Sequence, residues 1–305
     1  MGTQRWQAYV VLGIGVSAVS WAAILVREAQ APALVIAAYR LVLAALPVGA
    51  LALYQQRRKP EPVSRATIGP LVLSGALLAA HFGFWIASLQ RTSVVTAVVL
   101  MAMQPLIVGL FSPLLLREPV ARRIWFALAV ALAGTATMTV AHIEEGLGTI
   151  TGDLFAVLGG FFAACYLMVG RSMRPGTSWL RYVGVVYPVA AIVLFASVLI
   201  ARDPLTGYST KTLVMIALMA LGPQLIGHSS INWALGFLPV MIVAMSILVE
   251  PVGATILAAL ILNERPSPAE MAGGVLVLIG VYLALRPERE ESLLTELPAA
   301  ELAVD

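Results

Sequence analysis

Ten long apolar runs constrain this chain more than any other feature of its sequence. Each run approaches the length of about 20 residues that a helix needs to cross the hydrocarbon core of a bilayer. The runs cover residues 8–26, 33–54, 70–89, 94–116, 124–141, 153–170, 183–201, 212–233, 240–262 and 269–285. Because backbone amides in lipid must be satisfied within their own segment, and because the runs are too long for barrel strands, each is predicted to form a helix. The predicted fold class is therefore an all-α integral membrane protein with ten transmembrane helices.

The composition agrees with a lipid environment. Hydrophobic residues make up 60% of the chain and charged residues 11%, whereas soluble domains contain roughly 45–50% and about 25%. This excludes an ordinary soluble globule. The formal net charge of +3 favours neither a nucleic-acid partner nor a specific anionic one. The acidic segment 286–305 contains no spanning run, so we expect it to be a disordered cytoplasmic tail.

The distribution of Lys and Arg between the runs predicts the orientation in the membrane. Thirteen of the 19 basic residues fall on the side that carries the N-terminus and five on the other, while Arg40 lies inside a run. Basic residues accumulate in cytoplasmic loops. Both termini are therefore predicted to be cytoplasmic, with the loop 57–69 inside and the loop 142–152 outside, in a plasma membrane such as the bacterial inner membrane.

The two halves of the sequence repeat at a constant offset of 146 residues. The shift aligns a proline, a glutamate and a glycine in the same order, at Pro105 and Pro251, Glu118 and Glu264, and Gly134 and Gly280. The predicted domains are two five-helix repeats, 8–141 and 152–285. Since five is odd, the second copy must cross the membrane inverted relative to the first. Inverted repeats are typical of transporters, in which one central site faces either side of the membrane in turn.

Several segments carry a resemblance to a known family. They are ALVIAAYRLVLAAL, MAMQPLIVGLFSPLLLREPV, WFALAVALAGT, GDLFAVLGGFFAACYLMVGRSM and LVEPVGATILAALILNERPSPAEMAGGVLVLIGVYLAL. Together they resemble the two EamA repeats of the drug/metabolite transporter (DMT) superfamily, over roughly residues 8–285. The resemblance implies ten helices in an inverted five-plus-five arrangement around a central cavity, with small metabolites as substrates. Amino-acid exporters of the YddG type are one candidate relative within that superfamily.

Two charged residues lie deep inside predicted spans, Arg40 and Glu250. The repeat partner of Glu250 is Gln104, and both directly precede a proline, Pro251 and Pro105, which cannot donate a backbone hydrogen bond. Kinks are therefore expected there, and the two prolines are candidate hinges. Glu250 has three possible roles: a hydrogen-bonded packing residue, a proton carrier because a buried charge is costly, or the ion-pair partner of Arg40.

The most polar helical faces within the runs lie in the third and eighth spans. The third presents His81, Phe84, Trp85 and Ser88, and the eighth presents Gln224, His228 and Asn232. Lipid would penalise these faces, so both are predicted to line one central cavity, although any single aromatic residue fits ordinary core packing. The predicted substrate-cavity residues are Ser17, Trp21, Tyr39, Arg40, His81, Trp85, Gln104, Tyr166, Gln224, His228, Asn232 and Glu250.

No enzyme, ATPase or metal motif accompanies these residues. The sequence contains no G-x-x-x-x-G-K-[ST] loop, no H-E-x-x-H and no G-x-S-x-G. We therefore predict no enzyme activity, no cofactor and no metal. The predicted function is secondary active export of small metabolites, amino acids in particular, by alternating access. The alternative is a flippase or exporter of lipid carriers, drugs or nucleosides. The predicted partners are a small-molecule substrate and the lipid bilayer, and the oligomeric state is left open.

Overall fold

The computed structural model describes residues 2–60, 65–92, 97, 100–140, 149–261 and 266–286. Within these ranges the regular structure is entirely helical. The thirteen α-helices are α1 (Gly2–Val19), α2 (Ala22–Glu28), α3 (Ala33–Arg58), α4 (Arg65–Leu89), α5 (Gln104–Leu115), α6 (Arg122–Val140), α7 (Ile150–Met173), α8 (Trp179–Ala201), α9 (Thr210–Met219), α10 (Ser229–Ala234), α11 (Val240–Ile247), α12 (Glu250–Ile261) and α13 (Pro268–Leu285). A 3₁₀ turn at Arg174–Gly176 follows α7, and a π-helical segment at Ala220–His228 joins α9 to α10.

Eight helical stretches of the described chain are long and apolar enough to cross a membrane. They are Gln4–Glu28, Ala33–Arg58, Ala66–Leu89, Ile150–Gly176, Trp179–Ala201, Thr210–Ala234, Val240–Ile261 and Pro268–Leu285. The other two predicted spans, 94–116 and 124–141, extend beyond the described residues, which contain α5 and α6 at those places. The all-helical membrane class is thus confirmed. Residues 287–305, which hold most of the predicted tail, lie outside the described residues.

Helix starts follow capping signals in the sequence. The hydroxyl of Ser267 accepts a hydrogen bond from the backbone N–H of Glu270 at 3.1 Å, and the Glu270 carboxylate accepts from the backbone N–H of Ser267 at 2.7 Å. This reciprocal pair satisfies two donors that would otherwise lack partners at the start of α13. Thr149 and Ser178 cap α7 and α8 in the same way with one bond each. Asp153 and Glu270 lie in the first turns of α7 and α13, where the helix dipole favours a negative charge.

Four predicted spans are interrupted within the described residues, and one of them, 94–116, breaks at a turn over residues 102–103 before α5. Span 8–26 divides at Ser20–Trp21 into α1 and α2, span 212–233 passes through the π-helical segment, and span 240–262 divides between α11 and α12. At the last break the backbone N–H of Leu248 donates to the carbonyl oxygen of Met245 at 3.1 Å. The backbone N–H of Val249 donates to the carbonyl oxygen of Ser246 at 3.2 Å. These bonds join residues three apart instead of four, and α11 ends there. Pro251, shortly after, has no backbone N–H with which to continue the helical hydrogen bonds. Freed carbonyls at this depth require protein or a cavity beside them.

Small residues bring α6 and α13 into close contact. A Cβ atom added at Gly273 would lie 2.5 Å from the carbonyl oxygen of Gly134, and one at Gly280 would lie 2.6 Å from that of Ala127. The structure places these small residues within one chain, where side-chain-free surfaces allow two backbones to approach.

Glu118 joins three parts of the chain at one end of the bundle. Its Oε1 pairs with Nε of Arg171 at 2.5 Å, and its Oε2 accepts from the backbone N–H of Val240 at 3.0 Å. Arg171 also donates from Nη1 to the carbonyl of Leu235 at 2.7 Å. Glu118 thereby holds the chain after α5 against the end of α7 and the start of α11. Its repeat partner Glu264 lies outside the described residues.

Candidate functional site

A central cavity lies where the interrupted helices meet. The empty space between its lining atoms totals about 510 Å³ and is narrow in this conformation. The lining combines apolar, aromatic and ionisable side chains: Val19, Ala22, Arg40, His81, Phe82, Trp85, Met101, Gln104, Ala163, Tyr166, Leu167, His228, Ile231, Ile247 and Glu250. Both halves of the chain therefore contribute to one site, and the cavity reaches the beginning of α5 and of α12.

Arg40 is the cationic centre of this cavity. Helix α3 carries it into the interior, where it has no exposed surface. Its Nε donates to Oε1 of Gln224 at 2.9 Å, and its guanidinium carbon lies 4.0 Å from the ring centroid of Phe82. Nη1 and Nη2 are buried without a hydrogen-bond partner in the described part of the chain. A buried cation with unpaired donors binds an acceptor strongly, because such donors are costly to leave unsatisfied.

Glu250 is the anionic group of the same cavity. It is the first residue of α12, and only 8% of it is exposed. Among the described residues it forms neither a hydrogen bond nor an ion pair, with Arg40 or with any other side chain. The partial positive charge of the α12 N-terminus lies at this carboxylate. In this conformation Glu250 thus lines the cavity without a hydrogen bond to any described residue.

Aromatic and imidazole rings line the same cavity. His81 Nδ1 lies 3.0 Å from the carbonyl oxygen of Gly159, which holds the imidazole in place on α4. His81 stacks on Trp85 with ring centroids 6.2 Å apart. His228 and Phe82 pack in a T-shaped arrangement with ring centroids 4.9 Å apart. The indole N–H of Trp85 is buried without an acceptor in the described structure. The cavity therefore offers a further donor beside its apolar surfaces.

A chain of hydrogen bonds supports the cavity wall from behind. Tyr166 donates its hydroxyl to Oδ1 of Asn232 at 2.7 Å, and the amide of Asn232 donates to the hydroxyl of Tyr187 at 3.5 Å. Tyr187 in turn lies 3.0 Å from the hydroxyl of Ser229. All four side chains are buried. Such a satisfied network fixes the rotamers of the groups that face the ligand.

The structure brings together most of the predicted site residues. Seven of the twelve line the cavity: Arg40, His81, Trp85, Gln104, Tyr166, His228 and Glu250. Gln224 and Asn232 lie behind this lining and hold Arg40 and Tyr166.

The remaining three predicted residues lie elsewhere. Ser17 is exposed on α1 and bonds to the carbonyl of Gly13 at 2.9 Å. Trp21 is 42% exposed, because the break after α1 turns it outward. Tyr39 donates to the carbonyl of Leu205.

Sequence reasoning missed two functional neighbours. Phe82, not Phe84, faces Arg40, while Phe84 stacks on Phe162 with centroids 5.6 Å apart. Tyr187 connects Asn232 to Ser229 from α8. Phe82 and Tyr187 both belong to strongly apolar runs in which no polar periodicity marks an inward face.

The described residues contain no group of three or more His, Cys, Asp or Glu side chains placed to hold a metal ion.

Comparison with known proteins identifies the class that this fold and site define. The sequence matches the EamA-like transporter family over residues 5–140 and again over 150–286. It is 27% identical over 269 residues to a chloroplastic WAT1-related protein of Arabidopsis thaliana, a match that covers 83% of this chain and 63% of that protein. A protein of known crystal structure shares the fold with a TM-score of 0.73 and 19% identity, over 92% of this chain and 96% of the other.

The chain belongs to the EamA-like transporter family. The members of this family are membrane transporters, and the comparisons indicate no catalytic family. The resemblance of its sequence motifs to EamA repeats is thus confirmed. The chain spans less than two thirds of the Arabidopsis relative.

Proposed function

We propose that this protein is a secondary active transporter that exports small zwitterionic metabolites, amino acids in particular, by alternating access. One observation carries the proposal: a single cavity contains a buried cation with two unpaired N–H nitrogens and a carboxylate without a described partner. A free amino acid supplies the complementary pair, a carboxylate for Arg40 and an ammonium for Glu250. A cavity with one charge of each sign is better matched to a zwitterion than to a phosphate, which argues against the flippase alternative.

Alternating access requires two related halves, and we propose the inverted repeats 8–141 and 152–285. Helix contacts support this assignment. The stretch α1–α2 packs on the stretch α9–α10, and the respective counterparts of these two stretches, α7 and α4, pack on each other. Helix α3 packs on its own counterpart α8, and α6 on its counterpart α13. These helix contacts stay the same when each helix is replaced by its counterpart in the other half. Such symmetry is expected when two inverted repeats are related by a pseudo-twofold axis, and in this arrangement ten helices surround the cavity.

We further propose that the paired prolines are the hinges. Pro105 and Pro251 follow the two cavity residues Gln104 and Glu250, each in the first turn of a helix that begins directly after a turn. Because the helical backbone hydrogen bonds are already interrupted there, a change in the angle between the helix segments disrupts few further bonds.

The two equivalent positions also differ in charge, since one holds a carboxylate and the other an amide. Glu250 is therefore the only one of the two that can carry a proton.

The orientation is part of the same proposal. The excess of basic residues at one face supports cytoplasmic N- and C-termini in a bacterial inner membrane. In that orientation Glu118 and Arg171 lie at the cytoplasmic end of the bundle, and Lys211 pairs with Glu28 at 2.5 Å at the opposite end.

Exchange in proteoliposomes tests the substrate class. We would load vesicles that contain the purified full chain with one amino acid and measure counterflow of labelled zwitterions, of the corresponding amines without a carboxylate, and of the corresponding acids without an amine. Zwitterions should exchange at least tenfold faster, since either analogue leaves one buried charge unpaired. Equal exchange of the analogues, or transbilayer movement of lipid alone, would refute the proposal.

A substitution at Arg40 provides a second test. Arg40→Lys keeps the positive charge but loses the Nε bond to Gln224 and the planar fork that holds a carboxylate. We expect at least tenfold weaker binding of the transported zwitterion. Arg122→Lys, the same change at an exposed position of α6, is the matched control and should leave binding unchanged.

A further inference from the structure

A second open space lies on the outer surface of the bundle, between α3 and α8. It has about 820 Å³ of empty space and shares no lining residue with the central cavity. The C-terminal half of α3 runs against the N-terminal half of α8, with Gly184 packed on Ala52 and Gly49 facing Pro188. A Cβ atom added at Gly49 would lie 3.8 Å from Cγ of Pro188. These small residues let the two backbones approach closely, and the open space beside their contact forms a trough, which we call the α3–α8 groove.

The groove changes from apolar to polar along its length. Its floor contains Gly49, Ala52 and Pro188, and its far end contains Lys59 and Arg181. Gly49 and Lys59 are ten residues apart, which is about 15 Å along an α-helix. This equals about half of the hydrocarbon thickness of a bilayer. The groove thus runs from the apolar interior of one leaflet to the level of its headgroups.

The polar end of the groove is positively charged. Arg181 donates from Nη2 to Oε1 of Gln56 at 3.0 Å, a bond that holds the guanidinium at the groove wall. Ser178, the N-cap of α8, also lines the groove, so the positive end of that helix dipole points to the same place. Among the described residues that line the groove, none is acidic. Two cations and a helix N-terminus above an apolar trough are complementary to an anionic headgroup attached to an acyl chain.

We propose that the α3–α8 groove binds an anionic phospholipid of the surrounding leaflet. The phosphate lies between Lys59 and Arg181, and one acyl chain follows the trough past Ala52 to Gly49. A soluble anion does not explain the apolar floor, and a neutral lipid does not explain the cations. Charge attraction to a lipid surface at this level is appreciable for each basic residue.

Lipid titration of the purified full chain tests this site. We would measure the binding of phosphatidylglycerol and of phosphatidylcholine with matched acyl chains by native mass spectrometry. The groove predicts at least tenfold tighter binding of phosphatidylglycerol. Equal binding of the two lipids would overturn the proposal. So would displacement of phosphatidylglycerol by millimolar glycerol phosphate, because that result identifies a soluble anion as the ligand.

Three variants locate the bound lipid. Lys59→Gln with Arg181→Gln removes the charges, and Gly49→Leu fills the floor without a backbone clash, so each should abolish the preference for phosphatidylglycerol. The control Arg57→Gln with Arg122→Gln removes two exposed charges outside the groove and should retain the preference. An equal loss in this control would refute a localised site. If the charge variant does not fold, Gly49→Leu and the comparison of headgroups on the unmodified chain still decide the question.

Discussion

Replacement of Glu250 by glutamine separates charge from shape at the centre of the cavity. Glutamine has nearly the same size and hydrogen-bonding geometry but cannot ionise. If Glu250 carries one proton per transported molecule, a gradient of one pH unit supplies about 1.4 kcal/mol, which corresponds to a tenfold substrate gradient. We expect the unmodified protein in proteoliposomes to accumulate substrate about tenfold under such a gradient. Glu250→Gln should accumulate none, and its residual exchange of the zwitterion should be slower, since glutamine offers the substrate ammonium no negative charge.

The structure also bounds the effect of this change on stability. No ion pair within 4.0 Å joins Glu250 to Arg40 in the described structure, so their attraction is at most about 4 kcal/mol at an effective dielectric constant of about 20. Removing a buried charge recovers desolvation energy of several kcal/mol, which opposes that loss. The net change in the free energy of unfolding should therefore be below about 2 kcal/mol.

Thermal unfolding and transport of the same preparation decide between the roles of Glu250. A loss of about 3–5 kcal/mol would show that Glu250 neutralises Arg40, contrary to the geometry. Unchanged pH-driven accumulation would refute the proton-carrier role altogether. Glu270→Gln is the matched control, since it makes the same chemical change at a helix N-terminus outside the cavity.

Three further predictions concern packing, anchoring and topology. Gly273→Ala should destabilise the protein by about 1–3 kcal/mol in thermal unfolding, because its Cβ would meet the α6 backbone, whereas Gly13→Ala, with open space around it, should not destabilise it. Glu118→Ala should cost about 1–2 kcal/mol, since it removes the acceptor at the start of α11 and the partner of Arg171; an effect below about 0.5 kcal/mol, the lower limit for a helix cap, would refute this anchor. In a cysteine-free background, single cysteines in the loop after α3 should resist an impermeant reagent on intact cells, while those in the loop after α6 should react; the reverse labelling would invert the topology.

Much of the fold follows from the sequence. The lengths of the apolar runs predict membrane helices, because lipid leaves a backbone few other ways to satisfy its amides. Ser267 and Glu270 fix the start of α13 through a local reciprocal bond between residues three apart in the sequence. The pairing of Glu250 with a following proline predicts a break at depth, and α12 begins there. Each of these signals acts over a few residues, so no knowledge of the other helices is required.

The composition of the site depends on contacts between distant parts of the chain. Arg40 binds Gln224, which lies 184 residues further along the chain, instead of pairing with Glu250. Phe82 faces the guanidinium while its neighbour Phe84 packs on α7. A membrane helix is apolar on nearly all sides, so its periodicity does not distinguish the face that meets protein from the face that meets lipid. Only the packing of the helices against one another, set by small residues such as Gly134 and Gly273, decides which side chains share the cavity.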